Sequence, residues 1–298
     1  LDRSSPFDVV LLHSAHFFER DAMVRARPGI AMSAEKIDLY NTSYGNAGAD
    51  LYSEIRRETY GEDLGQTSWA TLEEFAEIPG HLNLTAASNV LDIGCGAGGC
   101  ALRLAASIDC HVTGIDANAH GIRTAEQKAR TQQLADRARF LALDAGSPLP
   151  FADGTFDAAY SNDAFCHIPH RHRLLMECRR ILKPGGRLLF SDALVVNGPV
   201  TNEELAARSS IGYYVFVPRG ENERLIVAAG LKLVAAKDTT PQAAIVAQRW
   251  RDARASRRDA LLKIEGENNF EGLQSFLSCV QTLTAENRLA RFLHVAAK

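Results

Sequence analysis

The residues best suited to chemistry lie in one string, Val90-Leu91-Asp92-Ile93-Gly94-Cys95-Gly96-Ala97-Gly98-Gly99. An apolar run ends at Ile93, a glycine-rich turn follows, and a helix is predicted to open near Cys100. Glycines let a backbone turn tightly and let a ligand approach it closely. Gly94, Gly96 and Gly99 satisfy the G-x-G-x-x-G spacing of dinucleotide sites, which is weak evidence by itself. Asp92 precedes the first glycine, where a pyrophosphate would gain nothing from a carboxylate but a ligand with an ammonium group would. Asp116 ends the next apolar run and is placed to accept from two ribose hydroxyls.

Two other constellations bear inspection. His167, His170 and His172 are closely spaced, but Pro169 intervenes and no Cys or carboxylate completes a zinc set, so no metal is expected. The six cysteines, Cys95, Cys100, Cys110, Cys166, Cys178 and Cys279, contain no C-x-x-C pair. Their scatter reads as reduced thiols used as small core residues.

These residues need elements to hold them. Short apolar runs recur at Val90–Ile93, Val112–Ile115, Ala138–Leu143, Phe156–Tyr160 and Arg187–Phe190, each spaced to admit a helix before the next. That alternation implies a mostly parallel sheet covered on both faces. Two further strand candidates, Leu231–Ala236 and Arg291–Ala296, flank a helical stretch at about 241–286. Its basic run from Arg249 to Arg258 is interrupted by Asp252 and reads as a solvated helix face. Residues 32–85 are polar, aromatic and helical in period, with Tyr40, Tyr44, Tyr52, Tyr60 and Trp69.

With these strings in order, the chain resembles the class I S-adenosylmethionine-dependent methyltransferases from roughly Gly61 to Lys298. The resemblance implies a Rossmann-like, seven-stranded, mostly parallel α/β sheet with helices on both faces. To this it adds a helical N-terminal cap over 32–85 and a substrate-covering insert at about 197–220, within a main domain of 86–298. It implies that Asp92, Gly94 and Gly96 cradle the methionine moiety of S-adenosylmethionine, that Asp116 with Ala117 holds the ribose, and that Asp144 with Ala145 meets the adenine. Leu182-Lys183-Pro184-Gly185-Gly186 matches the family's turn into its fifth strand. The string from Tyr160 to Pro169 resembles the small-molecule branch, which includes sarcosine/dimethylglycine and natural-product O-methyltransferases. Tyr60 to Gln66 resembles the cap segment, so Gln66 is a cofactor contact, and Ser161 and Asn162 are placed at the cofactor's edge. The cap departs from the amine branch at Gly65-Gln66-Thr67-Ser68-Trp69, which leaves the acceptor open.

Methyl transfer from a sulfonium asks the protein mainly for position and desolvation, with a base when the acceptor is a hydroxyl. His167, after the fourth strand, is the candidate base, and Asp192, at the end of the fifth, is its candidate partner. Tyr40, Tyr213 and Tyr214 are candidate acceptor contacts, with Tyr213 and Tyr214 suited to an aromatic pocket or to cation–π contact with an amine. Three other readings stay open: C-methylation, a nicotinamide-dependent oxidoreductase on the glycine spacing alone, and a catalytically silent binding module.

Composition narrows the partners. With 33 basic and 36 acidic side chains, the formal net charge is −3. Such a balance gives no electrostatic case for nucleic acid or an anionic membrane. No run approaches the roughly 20 apolar residues that span a bilayer. A small-molecule acceptor, a cytoplasmic setting and a monomer or homodimer are expected. Residues 1–31 carry no motif. They read either as sequence upstream of a natural start at Met32 or as an N-terminal extension.

Overall fold

The computed structural model describes residues 37–298 with the exception of Ala47. The alternatives for residues 1–31 therefore lie outside the described residues. The cap comprises α1 (Tyr40–Gly45), α2 (Asp50–Tyr60) and α3 (Leu72–Leu82). The alternating part follows as β1 (Asn89–Ile93), α4 (Gly99–Ile108), β2 (His111–Asp116), α5 (Ala119–Thr131), β3 (Ala138–Ala142), β4 (Phe156–Ser161), α6 (Arg171–Ile181) and β5 (Leu182–Val196). The insert holds α7 (Asn202–Arg208) and the two-residue β6 (Val217–Pro218), and α8 (Glu221–Ala228) leads to β7 (Lys232–Asp238). Helices α9 (Thr240–Ala255), α10 (Arg258–Glu265) and α11 (Glu267–Ala285) precede the final strand, β8 (Leu289–Ala297).

The strand order is β3-β2-β1-β4-β5-β8-β7, seven strands on one path with β6 added beside β5. Strands β1 to β5 run parallel, and β8 lies antiparallel between β5 and β7. The chain winds outward to β3 and then returns to the other side of β1. The loops after β1 and β4 consequently diverge, which opens a crevice at their carboxyl ends. Alternation along β1 sends Leu91 and Ile93 to one face and Val90 and Asp92 to the other. Apolar side chains of α4 and α5 cover the second face, and those of α6 and α8 cover the first.

Two features differ from the sequence reading. Leu182–Gly186, expected as a turn, lies within β5. Its irregularity survives as Gly185 at φ +78° and a register shift opposite Phe156 and Ala158. The basic run on α9 is also more than a solvated face. Arg254 is buried and paired with Glu265, which accepts at 2.6 Å from the Tyr52 hydroxyl of α2. Arg257 reaches Glu54 and Glu58 of the same helix. The helical stretch before β8 thus grips the cap, aided by the rings of Tyr60, Trp69, Trp250 and Phe276.

Candidate functional site

The turn after β1 is held from below. The N–H groups of Gly94 and Cys95 both donate to the carbonyl of Ile115, at 2.8 and 3.0 Å. Gly94 sits at φ +79°, and a Cβ there would fall 2.3 Å from that of Ala164. At Gly99 a Cβ would meet the Leu64 carbonyl at 1.5 Å, so the cap segment crosses directly over the start of α4. Asp116 locks this arrangement. One carboxylate oxygen accepts from the Gly96 N–H at 2.9 Å, the other from the Asn118 N–H at 2.7 Å. Asn118 in turn donates to Asn41 of the cap at 2.9 Å.

Asp92 and Tyr160 are register partners on β1 and β4, and the Tyr160 hydroxyl donates to the Asp92 carboxylate at 2.6 Å. Burial pushes Asp92 up to about 7, against the Tyr160 hydrogen bond and helped by the charge of Asp116. Burial also raises Asp116, opposed by its two backbone donors.

These residues open on a cavity of about 380 Å³, a size suited to a small ligand. Its walls carry Gln66, Asp92, Gly94, Gly96, Asp116, Ala117, Asp144, Ala145 and Asn162, all expected from sequence, together with Tyr40, His167 and Tyr213. Charged wall residues are all acidic, Asp92, Asp116, Asp144 and Asp163, with no Lys or Arg among the described lining. Gln66 is turned on its own segment, accepting from Leu64 N–H and donating to the Glu62 carbonyl.

At the far end, His167 is held on both nitrogens. Nδ1 lies 2.9 Å from the Tyr213 carbonyl and Nε2 lies 2.8 Å from the Tyr40 hydroxyl. A carbonyl can only accept, so Nδ1 carries the proton and Nε2 accepts from Tyr40. Burial holds His167 below the usual histidine range, which keeps this neutral tautomer in place at neutral pH.

Three expected site residues lie elsewhere. Asp192 is fully buried behind the site, where Arg171 and the Asn222 amide hold one oxygen and the Leu194 N–H the other. With both oxygens committed, it neither lines the cavity nor orients His167. Ser161 donates to the Ile93 carbonyl at 2.8 Å and ties β4 to β1 instead of facing the cavity. Tyr214 packs behind His167, ring centroids 4.4 Å apart, while its neighbour Tyr213 reaches the wall.

Sequence reasoning missed the residues that brace this wall. Arg291, on β8, is buried and bonds Glu74 of the cap, Asp163 after β4 and the Asn162 amide oxygen. Asp163 also accepts from the Trp69 N–H at 2.8 Å. The partners lie 217 and 128 residues away from Arg291, beyond any local pattern. Tyr160 did carry a signal, since a tyrosine in a strand buried on both faces needs a hydrogen-bond partner. Tyr44 lines the cavity and covers Gly96, but its period in the cap is that of any core tyrosine. Among the described residues no group of three or more His, Cys, Asp or Glu could hold a metal ion, and no helix is long and apolar enough to cross a membrane.

Residues 91–190 match the family described as methyltransferase domain. The 27-O-demethylrifamycin SV methyltransferase of Amycolatopsis mediterranei (strain S699) is 33% identical over 205 residues, covering 65% of this chain and 75% of that protein. The O-methyltransferase rstn1 of Aspergillus nomiae is 32% identical over 159 residues, 53% of this chain and 70% of that protein. Among solved structures, the cyclopropane synthase MmaA2 from Mycobacterium tuberculosis superposes with a TM-score of 0.73 at 22% identity, over 86% of this chain and 98% of that one. At that identity the likeness speaks for the fold.

Proposed function

The chain belongs to the S-adenosylmethionine-dependent methyltransferases, and from that premise we propose that it methylates a hydroxyl of a small organic acceptor. The family sets aside the nicotinamide reading of the glycine spacing. The residues present fit the cofactor: an all-acidic wall suits a cation, and Asp92, buried at the end of β1, gains a counter-charge from an ammonium group. Asp92, Gly94 and Gly96 would hold the methionine part, Asp116 and Ala117 the ribose, and Asp144 and Ala145 the adenine. Bound there, S-adenosylmethionine supplies an electrophilic methyl group on a good leaving group.

The observation that carries the reading is the Tyr40–His167 pair on the cavity wall. Tyr40 spends its proton on Nε2, so its oxygen can still accept from an acceptor O–H. As the oxygen of the acceptor is alkylated, its proton passes to Tyr40 while the Tyr40 proton passes to Nε2, and the Tyr213 carbonyl stabilises the resulting imidazolium through Nδ1. A hydroxyl needs this help, whereas a neutral amine attacks without it. One of these relatives is named an O-methyltransferase and the other a methyltransferase of an O-demethyl compound, which supports the same choice. Six free cysteines suit a reducing, cytoplasmic setting.

The test is an acceptor screen of phenols, alcohols and amines with S-adenosylmethionine, read by product mass. Methylated hydroxyl compounds, with turnover lost in His167→Ala, are expected. Turnover of amines alone, insensitive to His167→Ala, would replace this reading with N-methylation.

A further inference from the structure

Arg208 ends α7 and is 1% exposed. The other deeply buried arginines hold carboxylates: Arg171 pairs with Asp192, Arg254 with Glu265, and Arg291 with Glu74 and Asp163. Arg208 pairs with none among the described residues, and its Nη1 has no hydrogen-bond partner. A buried charge without a counter-charge is unfavourable and is retained only where something offsets it. Three rings do part of this, Tyr214 at 4.8 Å, Phe276 at 5.2 Å and Trp69 at 5.8 Å from the guanidinium. Rings stabilise the cation without neutralising it, so its field still reaches ionisable groups nearby.

The next group along is His167. The Tyr214 ring contacts both, its centroid 4.8 Å from the Arg208 guanidinium carbon and 4.4 Å from the centroid of the imidazole. Its hydroxyl also interacts with both Tyr40 and Arg208. Each element around His167 contributes a group. Tyr40 comes from α1, the Tyr213 carbonyl and Tyr214 from the insert, Asp163 from the loop after β4, Asp192 from β5 and Arg208 from α7. The two carboxylates are already matched by Arg291 and Arg171. Burial and Arg208 favour the neutral ring, and the Tyr213 carbonyl, Asp163 and Asp192 oppose them.

We infer that Arg208 is a positioning residue for proton transfer, whose unopposed charge, next to the Tyr214 ring that also contacts the imidazole, holds His167 neutral with Nε2 ready to accept from Tyr40. Neither Arg208 nor Tyr214 lines the cavity, so the effect reaches the acceptor only through the Tyr40–His167 pair. The inference rests on the reading of that pair given above. The same charge favours release of the proton once it has been taken, which resets the site.

The test is NMR titration of histidine Cε1–H signals in the full chain saturated with S-adenosylhomocysteine, the His167 signal being assigned by its loss in His167→Gln. In the wild type, His167 should titrate below the ordinary value of about 6.5. Arg208→Met should raise its proton affinity roughly tenfold, and Arg208→Lys should leave it near wild type. Cys279→Asp provides a second route, because Cys279 lies within the field of Arg208. A carboxylate there opposes the charge in place and should shift His167 in the same direction, even if Arg208→Met does not fold. A wild-type midpoint at or above the ordinary value would overturn the inference. So would an unchanged midpoint in Arg208→Met or Cys279→Asp that still binds S-adenosylhomocysteine. Failure of the functional reading shows separately, as methyl transfer that persists in His167→Ala.

Discussion

The end of the cavity we assign to the cofactor is centred on neighbours in sequence, Asp92 to Asn118, on the ends of two adjacent strands. Its central hydrogen bond, Gly96 to Asp116, spans 20 residues. The acceptor end draws on Tyr40, His167 and Tyr213, separated by 127 and 46 residues. It is held by Arg291, which ties the cap to the last strand. One end is thus fixed by a local turn and the other by long-range packing of cap, insert and sheet. The first can hold its geometry whatever lies on the far wall, while the second exists only when the cap is docked. Binding of the cofactor and transfer of the proton should therefore separate under mutation.

The sharpest way to break that comparison is His167→Ala. For a hydroxyl acceptor, kcat should fall by about 10²- to 10⁴-fold, the range for a positioned base. Calorimetry should show little change in affinity for S-adenosylhomocysteine. Equal losses in both quantities would mean that the two ends are not independent.

Asp116→Ala addresses the opposite end. Removing a carboxylate that organises the glycine turn and is placed to accept from two hydroxyls should cost about 2 to 4 kcal/mol of affinity for S-adenosylhomocysteine, roughly 30-fold or more. Thermal unfolding without ligand should change far less, since burial already disfavours the ionised form. Unchanged affinity would remove Asp116 from the cofactor site.

The smallest effect is one of pH. Asp92 retains its proton in the folded chain to about 7, whereas an unfolded aspartate releases it near about 3.9. Its folded value is raised, so its contribution to stability falls as pH rises across that window and is level above it. A ligand ammonium beside it requires the ionised form. Affinity for S-adenosylhomocysteine should accordingly weaken by about tenfold from pH 8 to pH 6. Asp92→Asn should flatten this profile and lower affinity at pH 8. A flat profile in the wild type would place the ammonium elsewhere.

The same contrast explains what could be read in the sequence. The glycine turn, Asp92 and Asp116 are legible because a strand end and the turn that follows it constrain residue types over a few positions. The parallel sheet is legible for a similar reason, through apolar runs at regular intervals. His167 lies on the cavity wall, where its place after a recognisable strand had put it. Its hydrogen-bond partner was not foreseen, because an aspartate at the end of β5 and a tyrosine 127 residues upstream look equally suitable in one dimension. Packing decides between them. Arg171 and Asn222 consume Asp192 inside the core, and α1 brings Tyr40 across the cavity. Tyr213 and Tyr214 show the same limit, since of two adjacent residues in an irregular segment one lines the cavity and the other packs on His167, and no period announces which.

The most direct test of the account is a crystal structure of the chain with S-adenosylhomocysteine bound. The account predicts the adenine beside Asp144 and Ala145, the ribose on Asp116 and the ammonium near Asp92. It predicts the sulfur facing Tyr40 and His167 across an open space large enough for an acceptor atom. A sulfur turned away from that pair, or a Tyr40–His167 contact displaced from the cavity when the ligand is bound, would contradict it.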